Sequence, residues 1–378
     1  MTGATGAAGR ARSLWALVFF FYYRSLQMVW TGMWALGGSV ISTLASHVIF
    51  DLRREVREAR RLGQYTLLEK IGEGGMGAVY RARHAMLRRP TAIKLLPLDR
   101  AGADRIQRFE REVQLTSQLT HPNTIAIFDY GRTPDGVFYY AMEYLDGVNL
   151  EDLVRLDGPQ PAGRVVHLMR QIAGSLSEAH EIGIVHRDIK PSNVILVPER
   201  GGAPDVAKVV DFGLVKDLDE SAWRTQEGRV FGTPHYLAPE AISSSEPIGP
   251  ASDLYSLGCV GYFLLTGQRV FEGHAVIEVA TQHLASAPVP PAERLGRPVP
   301  RSLSQVLMAL LEKKSERRPH SARELIDLLD AADDIEAWSS ERAREWWSDH
   351  GRQMLERSRR PQPETSVESR ETHTRIVV

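Results

Sequence analysis

Three polar residues in a stretch of thirteen set the chemistry this chain is equipped for. Between the apolar ends of Ile184–Leu196, IVHRDIKPSNVIL, stand a carboxylate (Asp188), an ammonium (Lys190) and a carboxamide (Asn193). Carboxylate and amide oxygens suit a hard cation, so the loop alone points to metal-assisted chemistry at a carboxylate. A second carboxylate, Asp211, follows a further apolar run in KVVDFG. Upstream, Lys94 lies among strand-type residues in TAIK, where it is either an edge residue or a cation held for a task. Glu110 and Glu112, in RFEREV, are its rival partners on the helix that follows. Ile71–Tyr80, IGEGGMGAVY, sets Gly72, Gly74 and Gly77 ahead of Val79. Glycines so placed let the backbone turn tightly and bring its N–H groups against phosphate. Dinucleotide-binding folds share that spacing but need the loop to open a helix. Here the strand-type run Ala78–Ala82 follows, which makes the loop a lid between two strands.

The elements that position these residues change character along the chain. Tyr65–Lys70, Ala78–Ala82, Thr91–Leu96, Thr124–Tyr130 and Val137–Met142 are short β-type runs divided by turn residues. Asp104–Leu119 sets Ile106, Phe109 and Val113 on one side of a helix. From about Asn149 the periodicity is helical. Arg164–Glu181 carries the stripe of a core helix, and Ala251–Leu265, Val276–Leu284, Ser304–Leu311 and Ser321–Leu329 follow, with Ala287–Pro300 as a Pro-rich loop. The reading is an α+β chain, with a five-stranded lobe bearing one main helix ahead of a mainly helical lobe.

In order and spacing these motifs resemble those of eukaryotic-type serine/threonine protein kinases of the bacterial, membrane-associated form. The resemblance covers about Tyr65–Leu329. It implies a bilobal kinase fold, ATP with Mg2+ (Mn2+ as a substitute), and transfer of the γ-phosphoryl to Ser or Thr of protein substrates. By the same resemblance Asp188 receives the hydroxyl proton, Lys190 faces the transferring phosphoryl, and Asn193 and Asp211 hold the metal. It selects Glu112 over Glu110 as the partner of Lys94. Ile71, Gly72, Gly74, Gly77, Val79, Ala92, Met142, Glu143, Leu145 and Ile195 are the implied nucleotide contacts, with Glu143–Leu145 as the hinge. Glu240, in APE, is matched with Arg318 as a buried pair, and Asp253 with Gly258 as the brace of the catalytic loop. Arg187 implies a clamp for a phosphorylated activation segment, in which Thr225, Thr233 and Ser221 are the candidates and Thr225 the first choice. A pseudokinase scaffold would have lost Lys94, Asp188, Asn193 or Asp211, and all four are present. A small-molecule kinase is disfavoured by Lys190 and by the complete segment Gly232–Glu240.

A formal net charge of -1 gives no case for a nucleic-acid partner. The one cysteine, Cys259, excludes an internal disulfide and reads as a core residue. Ser25–Phe50 has no Lys, Arg, Asp or Glu, and a helix over Met28–Phe50 would extend about 35 Å, the length of a membrane span; the alternatives are a helical hairpin of both apolar runs interrupted by Arg24, or a monotopic anchor. Arg53, Arg54, Arg57, Arg60 and Arg61 follow, which predicts an inner-membrane protein with its kinase domain in the cytoplasm. Gly38, Ser42 and Ser46 recur every fourth residue, a face fit for homodimer packing. The expected order is a flexible N-terminus (1–13), an apolar membrane segment (14–50, span 28–50) and a juxtamembrane helix (51–63). A kinase domain (64–330, lobes 64–145 and 146–330), a helical extension (331–357) and a disordered tail (358–378) complete it.

Overall fold

The computed structural model describes residues 61–74, 77–96, 110–111, 113–133, 137–212, 234–243 and 247–358. The described residues divide into two compact units, the smaller holding 61–68 together with His84–Leu87. In that unit β1 (Arg61–Leu62) pairs with the start of β2 (Tyr65–Gly74), Leu62 opposite Tyr65. Gly63, at φ 54, supplies the left-handed turn between them. Arg61–Leu62, expected as the end of a helix, are therefore extended.

The larger unit holds the rest. Its sheet continues from β2 through β3 (Gly77–His84) and β4 (Pro90–Leu96) to β6 (Phe138–Glu143), with β5 (Ile127–Arg132) on the far edge. These are the five expected strands. β6 is buried along its whole length, as its run of aromatic and apolar residues requires. The described residues 110–111 and 113–116 are helical, with Val113 buried against the sheet's apolar cluster. Residues 117–119, expected as the helix's last turn, leave it in a turn closed by the Leu119 N–H on the Thr116 carbonyl, and residues 104–109 and Glu112 lie outside the described residues.

A second sheet goes beyond the sequence-based expectation. β7 (Val148–Asn149), β8 (Val194–Arg200) and β9 (Ala203–Val209) form an antiparallel ladder closed by a Gly201-Gly202 turn with both φ values positive. Helices build the rest of this lobe: α1 (Leu150–Asp157), α2 (Ala162–Glu181), α3 (Pro239–Ser243), α4 (Pro250–Thr266), α5 (Val276–Ala285), α6 (Pro291–Leu295), α7 (Arg301–Leu310), α8 (Ala322–Asp330) and α9 (Ser340–Ser358). α1 starts at Asn149, whose side chain accepts from the Asp152 N–H at 2.8 Å. α4 starts with Pro250 and stops at Gly267, φ 72. α4 is buried on nearly every side, and glycines permit it. A Cβ on Gly258 would lie 2.7 Å from Leu310 Cβ, and one on Gly261 2.5 Å from Met169 Sδ.

The membrane helix expected ahead of the domain is corrected. Among the described residues no helix is long and apolar enough to cross a membrane. α4 is apolar, but at 17 residues it is short of a span and is packed in the helical core. α2 and α9 have 20 and 19 residues but carry charged side chains along their length. The apolar segment 14–50, with Gly38, Ser42 and Ser46, lies outside the described residues. The transmembrane assignment, the membrane as a partner and the inner-membrane location accordingly do not stand.

Candidate active site

The catalytic-loop candidates are set by a carboxylate in the first turn of α4. Asp253 is buried and accepts the backbone N–H of His186 and of Arg187, each at 2.8 Å. His180, from α2, reaches the same carboxylate at 2.9 Å. Two backbone donors on one fixed carboxylate hold Arg187 at φ 63, an uncommon conformation for a side chain with a Cβ. The loop then turns so that three sequence-selected groups meet. Asn193 Nδ2 donates to Asp188 Oδ2 and to the Asp188 carbonyl, both at 2.9 Å, and Lys190 Nζ lies 3.0 Å from the same Oδ2. With its amide nitrogen committed, Asn193 is left its carbonyl oxygen as the group to offer a cation.

The second carboxylate is held from the sheet. Asp211 follows β9 with φ 59, and its Oδ1 takes Lys94 Nζ at 2.7 Å and the Tyr140 hydroxyl at 3.0 Å. Lys94 and Tyr140 face each other across β4 and β6, so ladder register delivers both to one oxygen. Burial, with Asp211 adding to it, pushes the Tyr140 phenol well above its ordinary range, so it stays a donor. Tyr140 is absent from the sequence-selected residues, although the alternation of FYYAME opposite TAIK would have revealed it. The expected Lys94–Glu112 pair lies outside the described residues.

His186 ties the two halves together. Its ring nitrogens reach the Val210 carbonyl (3.0 Å) and the Asp188 N–H (3.2 Å), and its ring packs on buried Phe212 with centroids 4.6 Å apart. Burial lowers its pKa against the pull of Asp253 and Asp188, so the imidazole is neutral and serves as a spacer with one donor and one acceptor. The Val210 N–H closes the link on the Asn193 backbone carbonyl at 2.9 Å.

Of the implied nucleotide contacts, Val79, Ala92, Met142 and Leu145 belong to one apolar cluster, joined by Val210. Ladder register opposes Val79 to Lys94 and Ala92 to Met142. Ile71 is exposed, and Gly72, Gly74 and Gly77 frame the lid, Gly77 at φ 119. Ile195 is half-buried on β8, outside that cluster. Glu143 ends β6 with a buried carboxylate that accepts the Ala126 N–H at 2.9 Å and Lys208 Nζ at 2.8 Å, with Arg200 also against it. Lys208 is itself buried and donates to the Thr124 carbonyl at 2.9 Å. Burial lowers its pKa, and the Glu143 carboxylate opposes that.

Further off, Glu240 and Arg318 form a buried bidentate pair at 2.7 and 2.8 Å, with Ser252 Oγ donating to Glu240 at 2.7 Å. Burial works against the charge on Glu240, and the Arg318 and Ser252 hydrogen bonds outweigh it, so the carboxyl titrates below its usual range. Ser221, Thr225 and Thr233 lie outside the described residues.

Two lobes bearing a loop carboxylate, a strand lysine and a second carboxylate are the frame of a phosphoryl-transfer enzyme. The chain belongs to the protein kinase domain family, which matches residues 65–328. Within it the chain is similar to bacterial serine/threonine protein kinases. It is 38% identical over 277 residues to serine/threonine-protein kinase pkn3 of Myxococcus xanthus, covering 71% of this chain and 50% of the relative. To serine/threonine-protein kinase PknB of Mycobacterium tuberculosis it is 38% identical over 267 residues, 69% of this chain and 42% of the relative. The chain thus spans half or less of the length of these relatives. The crystal structure of the Mycobacterium tuberculosis PknI kinase domain matches with a TM-score of 0.55 at 26% identity, covering 71% of this chain and 96% of that one. The catalytic domain is therefore homologous to serine/threonine protein kinases, and membership of that family implies the ATP and Mg2+ dependence typical of the class.

Proposed function

We propose that this chain, with residues 64–330 as its catalytic domain, phosphorylates serine and threonine of protein substrates from ATP. The observation that carries the reading is the convergence of Lys190 and Asn193 on the Asp188 carboxylate. In the transfer, the substrate hydroxyl oxygen forms a bond to the γ-phosphorus while the bond from that phosphorus to the β,γ-bridging oxygen breaks. ADP leaves, and the hydroxyl proton passes to Asp188. Lys190 offsets charge on the moving phosphoryl. Lys94, held by Asp211, keeps a cation where the α- and β-phosphates bind. Val79, Ala92, Met142 and Leu145 supply an apolar seat for adenine beside the hinge backbone.

The donor set fits magnesium. Asn193 and Asp211 offer hard oxygen ligands, and a kinase-type Mg2+ needs only one or two carboxylates because substrate phosphates and water complete its shell. When bound, the ion neutralises charge on the β- and γ-oxygens. We further read Thr225 as the first autophosphorylation site, with Ser221 and Thr233 as the others.

The test uses the full chain with ATP, Mg2+ and a generic basic protein, and mass spectrometry to place the phosphates. Phosphoserine or phosphothreonine is expected, and Asp188→Asn should lower turnover by at least about a thousandfold. An active Asp188→Asn chain would overturn the mechanism, and phosphorylation confined to small molecules would overturn the substrate class.

A further inference from the structure

The family match ends at residue 328, yet the segment beyond it is built into the fold. α9 packs against β7, β8, β9 and α1, with Ala343, Trp347 and Met354 buried and the last two in the main core. Ahead of α9 the backbone crosses the first turn of α2 so closely that a Cβ on Gly163 would meet the Glu336 carbonyl oxygen at 2.1 Å.

Its focus is Asp205, fully buried in β9 at φ 58. Arg164, also fully buried, grips the carboxylate with two hydrogen bonds of 2.9 and 2.6 Å. The extension supplies the other two donors, Trp338 Nε1 at 2.9 Å and Trp347 Nε1 at 2.7 Å. The Trp346 ring covers the Arg164 guanidinium at 3.8 Å, and Trp338 lies on it at 5.0 Å. Even the Asp205 carbonyl is engaged, by His167 and Gln171 from α2. A strand held this firmly at a left-handed residue has few alternative positions.

That strand runs on to the site. Three residues after Asp205 comes Lys208, on the hinge carboxylate Glu143, and three later Asp211, on Lys94. β8, paired along β9, adds Arg200 to the same Glu143. We propose that residues 331–358 are a positioning strap for the nucleotide site. By fixing Asp205 with two indole donors they hold β9 so that Lys208 keeps Glu143, and with it the hinge, in place. Trp338, Trp347 and Asp205 are then positioning residues, and the inference rests on the kinase reading above.

The experiment uses full-length chains carrying Trp338→Phe, Trp347→Phe or both, which keep an aromatic ring and delete one donor each. KM for ATP, kcat on a generic basic protein, affinity for a fluorescent ATP analogue and the thermal midpoint are measured together. In the double variant KM for ATP should rise about fivefold and analogue affinity fall in step, with kcat within about twofold of wild type. Lys208→Met should raise KM by itself, and adding Trp347→Phe to it should raise KM no further. A lower thermal midpoint with unchanged KM and analogue affinity would overturn the proposal, leaving the strap a stabilising element only. Fully additive effects of Lys208→Met and Trp347→Phe would overturn the route through the hinge. If the double variant does not fold, Trp338→Phe alone, at the half-buried indole, decides between the same outcomes. A wild-type chain that neither binds the analogue nor phosphorylates protein would overturn the kinase reading itself, which these variants alone cannot do.

Discussion

Glu240 and Arg318 show how much of this molecule turns on single buried charges. Arg318 donates to Glu240 twice and spends its remaining N–H groups on the carbonyls of Ala251, Glu312 and Lys313, joining α3, the start of α4 and the segment after α7. Removing one partner leaves the other charged and dry, which costs about 3–5 kcal/mol, whereas an exposed pair is worth under about 1. Arg318→Met should therefore lower unfolding free energy by about 3–5 kcal/mol, read from urea denaturation. The pH dependence follows from the sign of the Glu240 shift. A carboxyl whose folded pKa is depressed contributes stability that is present above its unfolded value of 4.5 and is lost as pH falls through the folded value. Acid stability below pH 4.5 should thus decline less steeply in Arg318→Met than in wild type. An unchanged profile would show that this pair does not govern acid unfolding.

At the scale of elements, legibility divides by sequence distance. Asp188, Lys190 and Asn193 meet within one tight loop, so their spacing nearly determines their contact. The five sheet strands are readable because alternation and turn residues agree. The β8–β9 hairpin is not, although Gly201-Gly202 marks its turn. Its apolar runs are short and lack alternation, and Pro198 and Pro204 argue against central strands. Asp205 and its indole donors stand more than 130 residues apart, and nothing local announces the meeting. Gly163 is where that meeting can be tested. In most helices Gly→Ala gains up to about 1 kcal/mol from lower backbone entropy. Here the new methyl would sit on a backbone oxygen, and no side-chain rotation relieves that. Gly163→Ala should destabilise the chain by about 1–3 kcal/mol and shift Trp emission to longer wavelength as the Trp338 indole meets water. A more stable variant with unchanged emission would show that the extension does not rest on α2.

For the whole molecule, the decisive quantity is how the site divides its affinity between metal and nucleotide. Among the described residues there is no group of three or more His, Cys, Asp or Glu able to hold an ion. The candidate ligands are one carboxylate, Asp211, already engaged by Lys94 and Tyr140, and one amide, Asn193, tied to Asp188. Such a pair is too sparse to strip water from Mg2+ alone, because the ion dehydrates reluctantly. On the proposed reading, nucleotide alone would meet Lys94 and the apolar seat, and its phosphates would approach the Asp211 carboxylate with no metal between them and compete with it for Lys94. Each should therefore bind weakly without the other and strongly with it. Ligand at about a hundredfold above its Kd stabilises the fold by about 2.7 kcal/mol, a shift large enough to read as a rise in midpoint. The full chain should show almost no rise with Mg2+ alone, a small one with ADP and EDTA, and a clear one with ADP and Mg2+ together. Asp211→Asn should reduce the combined rise to that of ADP alone, since an amide brings no charge to the ion. Equal shifts with and without Mg2+ would instead place the binding energy in the adenine seat and remove Asp211 from the metal site.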